Sequence, residues 1–460
     1  MRFVKRKSSS SSRRSRGPVS LAALLGLVLS ALALGHSLGG AAYLRKIEPS
    51  LLQAIEEGPV VVYVSADRPM GGASKVWEIG DVYISKMAVA TKDALLSLAR
   101  REGVISIWGP LSFSPPLSST EGDYDLEVDV KWRVHKSSTL WIGRGVVVCI
   151  IDTGIDYLHP DFFDADNRTA IEIMVSVVFE TADGRPVVWI PGVNGTLEEA
   201  YAFDLSLLAE YNETAFLDLN GHGTHVAGIV AGRGWASRGK YRGLAFGCRL
   251  VIVKAFRREG FATMDDVLDA LDWVEENVDE WDIDVLSLSW GSPGLSDGTD
   301  PVSLACDEIA ERGVFVFAAA GNPGNWPTTV MIPACAHLVY AVGAWDGYKE
   351  EIAPFSALGP TADYRMKPDF LGCGVMVVST ASGQAEYSYR VGDYYAAMSG
   401  TSMATPCVAA VCADFIEYFR YWHGRNPTRA EWEEFAIAHS MKINPVWKDF
   451  VSGWGIPRSP

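Results

Sequence analysis

Three short stretches carry side chains that can do chemistry together. Asp152 follows the apolar run Val146–Ile151 and precedes Thr153-Gly154. His222 stands between two glycines in Asn220-Gly221-His222-Gly223-Thr224-His225-Val226-Ala227-Gly228. Ser402 stands in Met398-Ser399-Gly400-Thr401-Ser402-Met403-Ala404-Thr405-Pro406, ahead of the apolar stretch Cys407–Trp422. A serine hydroxyl is a poor nucleophile until an imidazole takes its proton, and the imidazole needs a carboxylate to fix its tautomer and stabilise its charged form. Singly, each residue has a plainer reading. An aspartate after a strand is usually a turn residue, and a lone serine at a helix start is usually a cap. The set supplies all the parts of acyl transfer through a covalent serine.

These residues need elements to hold them. From residue 123 the chain alternates apolar runs of strand length (Val146–Ile151, Leu250–Ala255, Val285–Ser289, Val314–Ala320, Leu338–Val342) with helical stretches (Thr224–Ala231, Met264–Val278, Ser303–Arg312). Near-continuous apolar strands divided by helices predict a mainly parallel sheet covered on both faces. In such a sheet, sites gather beyond the carboxyl ends of the strands, which is where Asp152 falls. Ser402, at a helix N-terminus, has unpaired N–H groups that favour a developing negative charge.

Ahead of this domain, residues 43–110 read as a small α+β module. Val60–Val64 and Val82–Val89 are strands, Thr91 caps a helix running to about Arg101, and Gly103 ends that helix before a last strand, Val104–Trp108. Residues 111–122, with Pro115-Pro116 and a Ser-Ser-Thr run, read as an exposed linker where proteolytic cuts fall. Residues 1–18 are basic and serine-rich, and residues 19–42 are an apolar segment. Two readings of that segment stand: a signal peptide with Ala31-Leu32-Ala33 as its small-x-small site, or an uncleaved anchor. Either sends the remainder across a membrane, so membrane contact is expected only at the N-terminal segment and the location is extracellular or cell-surface.

Together the motifs Ile151-Asp-Thr-Gly-Ile-Asp156, Gly221-His-Gly-Thr-His-Val-Ala-Gly228 and Gly400-Thr-Ser-Met-Ala-Thr-Pro406 resemble those of the subtilisin-like serine proteases, across residues 123 to 455. The resemblance implies a three-layer α/β fold over residues 123–460 and a triad of Asp152, His222 and Ser402. It makes His222, rather than His225, the base, and Ser399 a near decoy. It also implies an oxyanion hole from Asn322, in Gly321-Asn322-Pro323-Gly324, with the backbone N–H of Ser402. Ser289-Trp290-Gly291 would bind the substrate backbone and line one wall of the pocket for the residue before the scissile bond, with Trp290 either narrowing that pocket or lying in the core. Residues 43–110 would be a ferredoxin-like propeptide that inhibits the site in cis until a cut within residues 111–122. The activity implied is a serine endopeptidase acting on polypeptides, made as a precursor.

Other features bound that reading. The formal net charge of −16 becomes −23 once the seven basic residues of the first twenty are set aside, which argues against a nucleic-acid partner. Seven cysteines lack CxxC pairs, so no zinc knuckle is expected, while one or two disulfides are compatible with an extracellular domain. Cys407 stands directly after Pro406, where many relatives carry histidine. The chemistry needs no cofactor. Structural calcium would fall to clusters such as Asp161, Asp164 and Asp166, without a recognisable calcium-binding insertion. Asn167, Asn194 and Asn212 begin N-x-S/T sequons. The alternatives are a catalytically silent surface-binding scaffold and a metal-dependent hydrolase using His222 and His225.

Overall fold

The computed structural model describes residues 42–460 except 121, 123, 136–139 and 193–194. The basic stretch, nearly all of the signal or anchor segment and the sequon at Asn194 therefore lie outside the described residues. Among the described residues, no helix is long and apolar enough to cross a membrane.

The N-terminal module contains helix α1 (Pro49–Glu57), strands β1 (Val60–Ala66), β2 (Lys75–Ile79) and β3 (Val82–Val89), helix α2 (Lys92–Ala99) and strand β4 (Val104–Trp108). Thr91 caps α2, its hydroxyl accepting from the Ala94 N–H. The antiparallel sheet has the order β2-β3-β1-β4. This is the strand order of a ferredoxin-like module, but the first helix precedes β1 instead of joining β1 to β2. The eight residues between those strands include Pro69, Gly71 and Gly72, too short and too broken for a helix. Successive side chains of β1 point to opposite faces. Val62 and Val64 pack on α1 and α2, while Tyr63 faces the large domain.

The large domain follows with β5 (Ser112–Phe113), α3 (Val130–His135), β6 (Val147–Asp152), β7 (Ile171–Glu180), β8 (Pro186–Trp189), α4 (Leu197–Tyr211) and α5 (His222–Ala231). Next come β9 (Arg249–Lys254), β10 (Ala262–Thr263), α6 (Met264–Asn277), β11 (Ile283–Leu288), α7 (Pro301–Glu311), β12 (Phe315–Ala319), β13 (Tyr340–Asp346), β14 (Glu351–Ile352) and β15 (Phe370–Cys373). A small sheet of β16 (Val377–Thr380), β17 (Arg390–Val391) and β18 (Tyr395–Met398) precedes α8 (Thr401–His423) and α9 (Arg429–His439). The central sheet runs β14-β13-β12-β11-β6-β9-β7-β8, with β15 also on β13. Its inner pairs are parallel, and β14 and β8 are antiparallel edges.

Period-two alternation divides the core. Val148 and Ile150 of β6 and Leu250 and Ile252 of β9 face the layer of α5 and α8. Val147, Cys149 and Ile151, with Val251 and Val253, face the layer of α6 and α7. All seven cysteines are buried free thiols, so none of the disulfides compatible with the sequence is formed.

Candidate active site

Asp152 is the last residue of β6, and His222 opens α5 directly after Gly221, whose φ of 93° lets the chain turn into the helix. His222 Nδ1 lies 2.7 Å from Asp152 Oδ1, both side chains being buried. The carboxylate oxygen accepts, so the proton sits on Nδ1 and the lone pair is left on Nε2. That nitrogen has no hydrogen-bond partner. Asp152 Oδ1 also accepts from the Thr153 N–H at 2.7 Å, which fixes the carboxylate plane.

Asp218 holds the start of α5. It accepts from the N–H groups of Gly221 and Thr224 (2.7 and 2.8 Å) and from the hydroxyls of Thr153 and Thr224 (2.8 Å each). Burial raises its pKa, and those hydrogen bonds oppose the rise. Sequence reasoning passed over Asp218; the available signal was an acidic residue four places before a helix whose N-cap, Gly221, has no side chain to satisfy the first N–H groups.

Ser402 is the second residue of α8. Pro406, four residues on, has no N–H to give to the Ser402 carbonyl. The hydroxyl of Ser289 takes that place, donating to Ser402 O at 2.8 Å. The Ser402 hydroxyl in turn lies 2.8 Å from Ser289 O and 3.2 Å from Pro116 O. It does not reach His222.

Between these groups runs the chain's own linker. Ser114 and Gly291 exchange both backbone hydrogen bonds at 3.1 Å, and Phe113 pairs with Ala262 of β10. The Asn322 Nδ2 donates to the Pro116 carbonyl at 2.5 Å. Its Oδ1 accepts from Thr401 N–H (3.0 Å) and Thr401 Oγ1 (2.9 Å), so the amide can present only its NH₂ to that carbonyl. Downstream, the Ser118 N–H donates to Ser399 O at 2.8 Å. Ser399 Oγ accepts from the Met376 N–H at 2.9 Å and touches Thr120 Oγ1, holding backbone rather than facing His222. Residues 112–114 thus pair in the cleft as a strand; the Leu117 N–H then closes a tight turn onto Pro115 O at 3.0 Å, with the Pro116 carbonyl at Asn322 and Ser402.

Proline explains the turned hydroxyl. An ordinary residue at position 116 would offer its N–H toward Ser289 O, whereas Pro116 has none, and Ser402 Oγ donates there instead.

Of the three residues predicted to bind substrate, Gly291 pairs with the linker backbone and Ser289 holds Ser402 instead, while Trp290 belongs elsewhere. Its ring packs edge-on against Phe113 at 5.5 Å and tilted against Phe256 at 5.6 Å, and its Nε1 donates to Ile151 O. It is a buried wall for the residue three places upstream of Pro116, whereas the sequence left it between lining the nearer pocket and the core.

His225 packs inside. Its Nε2 faces the carbonyls of Val377 and Ala396 at 3.0 and 3.1 Å, and burial lowers its pKa to about 3. With His222 Nδ1 on Asp152 and His225 Nε2 against the two carbonyls, each imidazole already has a ring nitrogen engaged within the protein. Asp161 accepts from Ala236 N–H and Tyr395 OH, Asp164 accepts from Asp166 and Arg168 N–H, and Asp166 pairs with Arg168. Among the described residues, no group of three or more His, Cys, Asp or Glu side chains is arranged to hold a metal. Of the described sequons, Asn212 caps the C-terminus of α4 and accepts from Arg258, and Asn167 lies in an exposed turn.

A three-layer sheet carrying a buried Asp–His pair, a serine at a helix start and an amide turned to a carbonyl defines a class of α/β protein. Residues 143–446 match the subtilase family, Peptidase_S8, and the chain belongs to that family. It is similar to the serine protease AprX of Bacillus subtilis, with 34% identity over 318 residues, covering 65% of this chain and 62% of that protein. It is also similar to the thermophilic serine proteinase of Bacillus sp. strain AK1, with 32% identity over 292 residues, covering 64% of this chain and 56% of that one. The match thus spans less than two thirds of either relative. The structure of the Clostridium perfringens CspB protease shares the fold, with a TM-score of 0.57 at 18% identity over 71% of this chain and 95% of that one.

Proposed function

We propose that this protein is an exported serine endopeptidase that first cuts its own chain between Pro116 and Leu117. In the proposed reaction Ser402 Oγ turns from Ser289 O to His222, gives its proton to Nε2 and attacks the Pro116 carbonyl carbon. Asp152 holds the Nδ1 proton and stabilises the imidazolium that forms. The oxyanion develops at the Asn322 amide, with the Ser402 N–H as second donor. Collapse breaks the C–N bond, His222 returns the proton to the Leu117 nitrogen, and water then hydrolyses the Ser402 ester. The residues needed are all in the chain, so the reaction calls for no cofactor.

The observation that carries this reading is the Pro116 carbonyl, 2.5 Å from the Asn322 amide and 3.2 Å from Ser402 Oγ. Phe113 supports it: wholly buried against Trp290, it contributes about 2 kcal/mol to seating the segment. On this reading residues 43–110 are an intramolecular inhibitor, and the substrates that follow are polypeptides laid along Ser289–Gly291 as an added strand. Export rests on the apolar segment at residues 19–42 and on the likeness to bacterial serine proteases. A second reading, a silent binding scaffold, draws on Ser402 Oγ facing Ser289 O rather than His222.

One experiment separates them. The full precursor and its Ser402→Ala variant are expressed side by side, followed by intact mass and by digestion of casein. We expect the wild type to lose its N-terminal 116 residues and digest casein, and the variant to do neither. Equal behaviour of the two proteins would sink the proposal.

A further inference from the structure

Two glycines edge the space beside Pro116. Gly291 pairs with Ser114 on one side, and Gly321 precedes Asn322 on the other. Walls without side chains make a flat slot, open to a large apolar group if nothing else fills it. Met331 fills it. A Cβ added at Gly321 would meet Met331 Sδ at 2.5 Å and Cγ at 2.6 Å, and one added at Gly291 would meet Met331 Cβ at 3.1 Å and Sδ at 3.5 Å. One side chain thus lies against both walls.

Its backbone is fixed as well. The Met331 N–H donates to Ala320 O at 2.9 Å, and Ile332 exchanges two hydrogen bonds with Ser292 at 2.9 and 3.0 Å. Met331 itself is only half-buried, as a wall facing a cleft would be. The residue the chain presents there is compact: Pro116 is buried, while Leu117 after it stays 46% exposed.

Building on the endopeptidase reading above, we infer that Met331 shortens this slot and restricts cleavage to polypeptides with a compact residue, of alanine to proline size, just before the scissile bond. A phenyl ring or a leucine side chain there must push the thioether out from between the glycines. Discrimination of one to a few methylenes in an apolar pocket is worth roughly 10- to 200-fold in kcat/KM. Methionine is adaptable, so the rival outcome is a side chain that swings aside and discriminates little.

The test uses the precursor and its processed product. Pro116→Ala, Pro116→Phe and the double variant Pro116→Phe/Met331→Gly are followed by intact mass over time. The alanine variant should process fastest, the phenylalanine variant at least about 10-fold slower, and the double variant should recover most of that loss. In trans, the processed enzyme is given peptides of the sequence Phe-Ser-Pro-X-Leu-Ser with X as alanine, leucine or phenylalanine. The kcat/KM should fall about 10- to 100-fold from alanine to phenylalanine, and Met331→Gly should reverse the order. Met331→Ala, with thermal unfolding of each variant, guards against a glycine that loosens the loop. An enzyme that digests casein through Ser402 yet cuts all three peptides alike, or whose ratio is unmoved by either Met331 variant, overturns the inference alone. A wild type that neither processes nor digests anything, like Ser402→Ala, overturns the endopeptidase reading and this inference with it.

Discussion

The N-terminal module and the large domain bury their sheets in different ways. The central sheet of the large domain has its own helices on both faces, and strands such as β6, β12 and β13 are buried from end to end. The module covers one face of its sheet with α1 and α2 and turns the other toward α6 and α7. There Tyr63, Trp77, Ile84 and Trp108 join the large domain's core rather than the module's own. Around this apolar centre the margin is polar. Lys75 and Trp77 Nε1 meet Asp269, while Lys86 and Tyr63 OH meet Asp265. The difference teaches that one region is complete in itself and the other is completed by its neighbour, with area supplying the hold and the charged rim the fit.

The sharpest break in that pairing is chemical. Ser402→Ala should keep the two regions in one chain, lowering self-processing by about 10⁶-fold, read by intact mass. A smaller loss is expected from Asn322→Ala, about 10²- to 10³-fold in kcat on a peptide substrate, with KM little changed. If KM carried the loss instead, the amide would be holding substrate in its ground state.

Acid should then separate the two regions, because the module contains no histidine and the large domain buries several. His135, near the C-terminus in space, has Nδ1 on Pro457 O and accepts the Cys373 N–H at Nε2. Burial lowers its pKa to about 4. Its folded value lies below the unfolded 6.5, so the unfolded chain binds the proton first as pH falls. Stability is therefore lost between pH 6.5 and 4, by about 3 kcal/mol from this group. Denaturant unfolding of Ser402→Ala across that window should show the slope, and His135→Gln should reduce it, with His225, its pKa lowered by burial to about 3, supplying part of the remainder. An unchanged slope would mean that other groups carry the acid sensitivity.

The gentlest test reaches the rim. Lys75→Ala or Lys86→Ala should weaken the hold on a cleaved module by less than about 1 kcal/mol each, a few-fold in Kd, and only at low salt. Binding measured at two ionic strengths would show it. A larger, salt-insensitive effect would assign the aliphatic stems, not the charges, to the interface.

Reading these regions from sequence succeeds where burial is uniform. β6, β9, β11 and β12 are legible because a strand covered on both faces must be apolar throughout. β2 and α1 of the module are harder to read, since Lys75-Val-Trp-Glu-Ile79 is half-exposed and α1 starts on Pro49 without a side-chain cap. The excursion holding β7 and α4 escapes for another reason: Ile171–Glu180 is itself a mostly apolar run of strand length, but it stands between two motifs and carries none. At the site, Asp152, His222 and Ser402 are legible because local motifs carry them. Trp290 against Phe113 and Met331 against two glycines are not, because those contacts join segments far apart in the chain. The turned hydroxyl of Ser402 depends on a proline 286 residues away.

The strand in the cleft belongs to the same molecule as the cleft, and that sets the kinetic order of events. A tethered segment meets the site at an effective concentration fixed by chain geometry, not by how much protein is present. On the proposed reading, the first cut is a first-order event whose half-time is the same at nanomolar and micromolar precursor. Once the bond after Pro116 is broken, the module is held by association alone, and its departure becomes a matter of dilution. The cleaved complex would thus stay closed where chains are crowded together and open as they disperse.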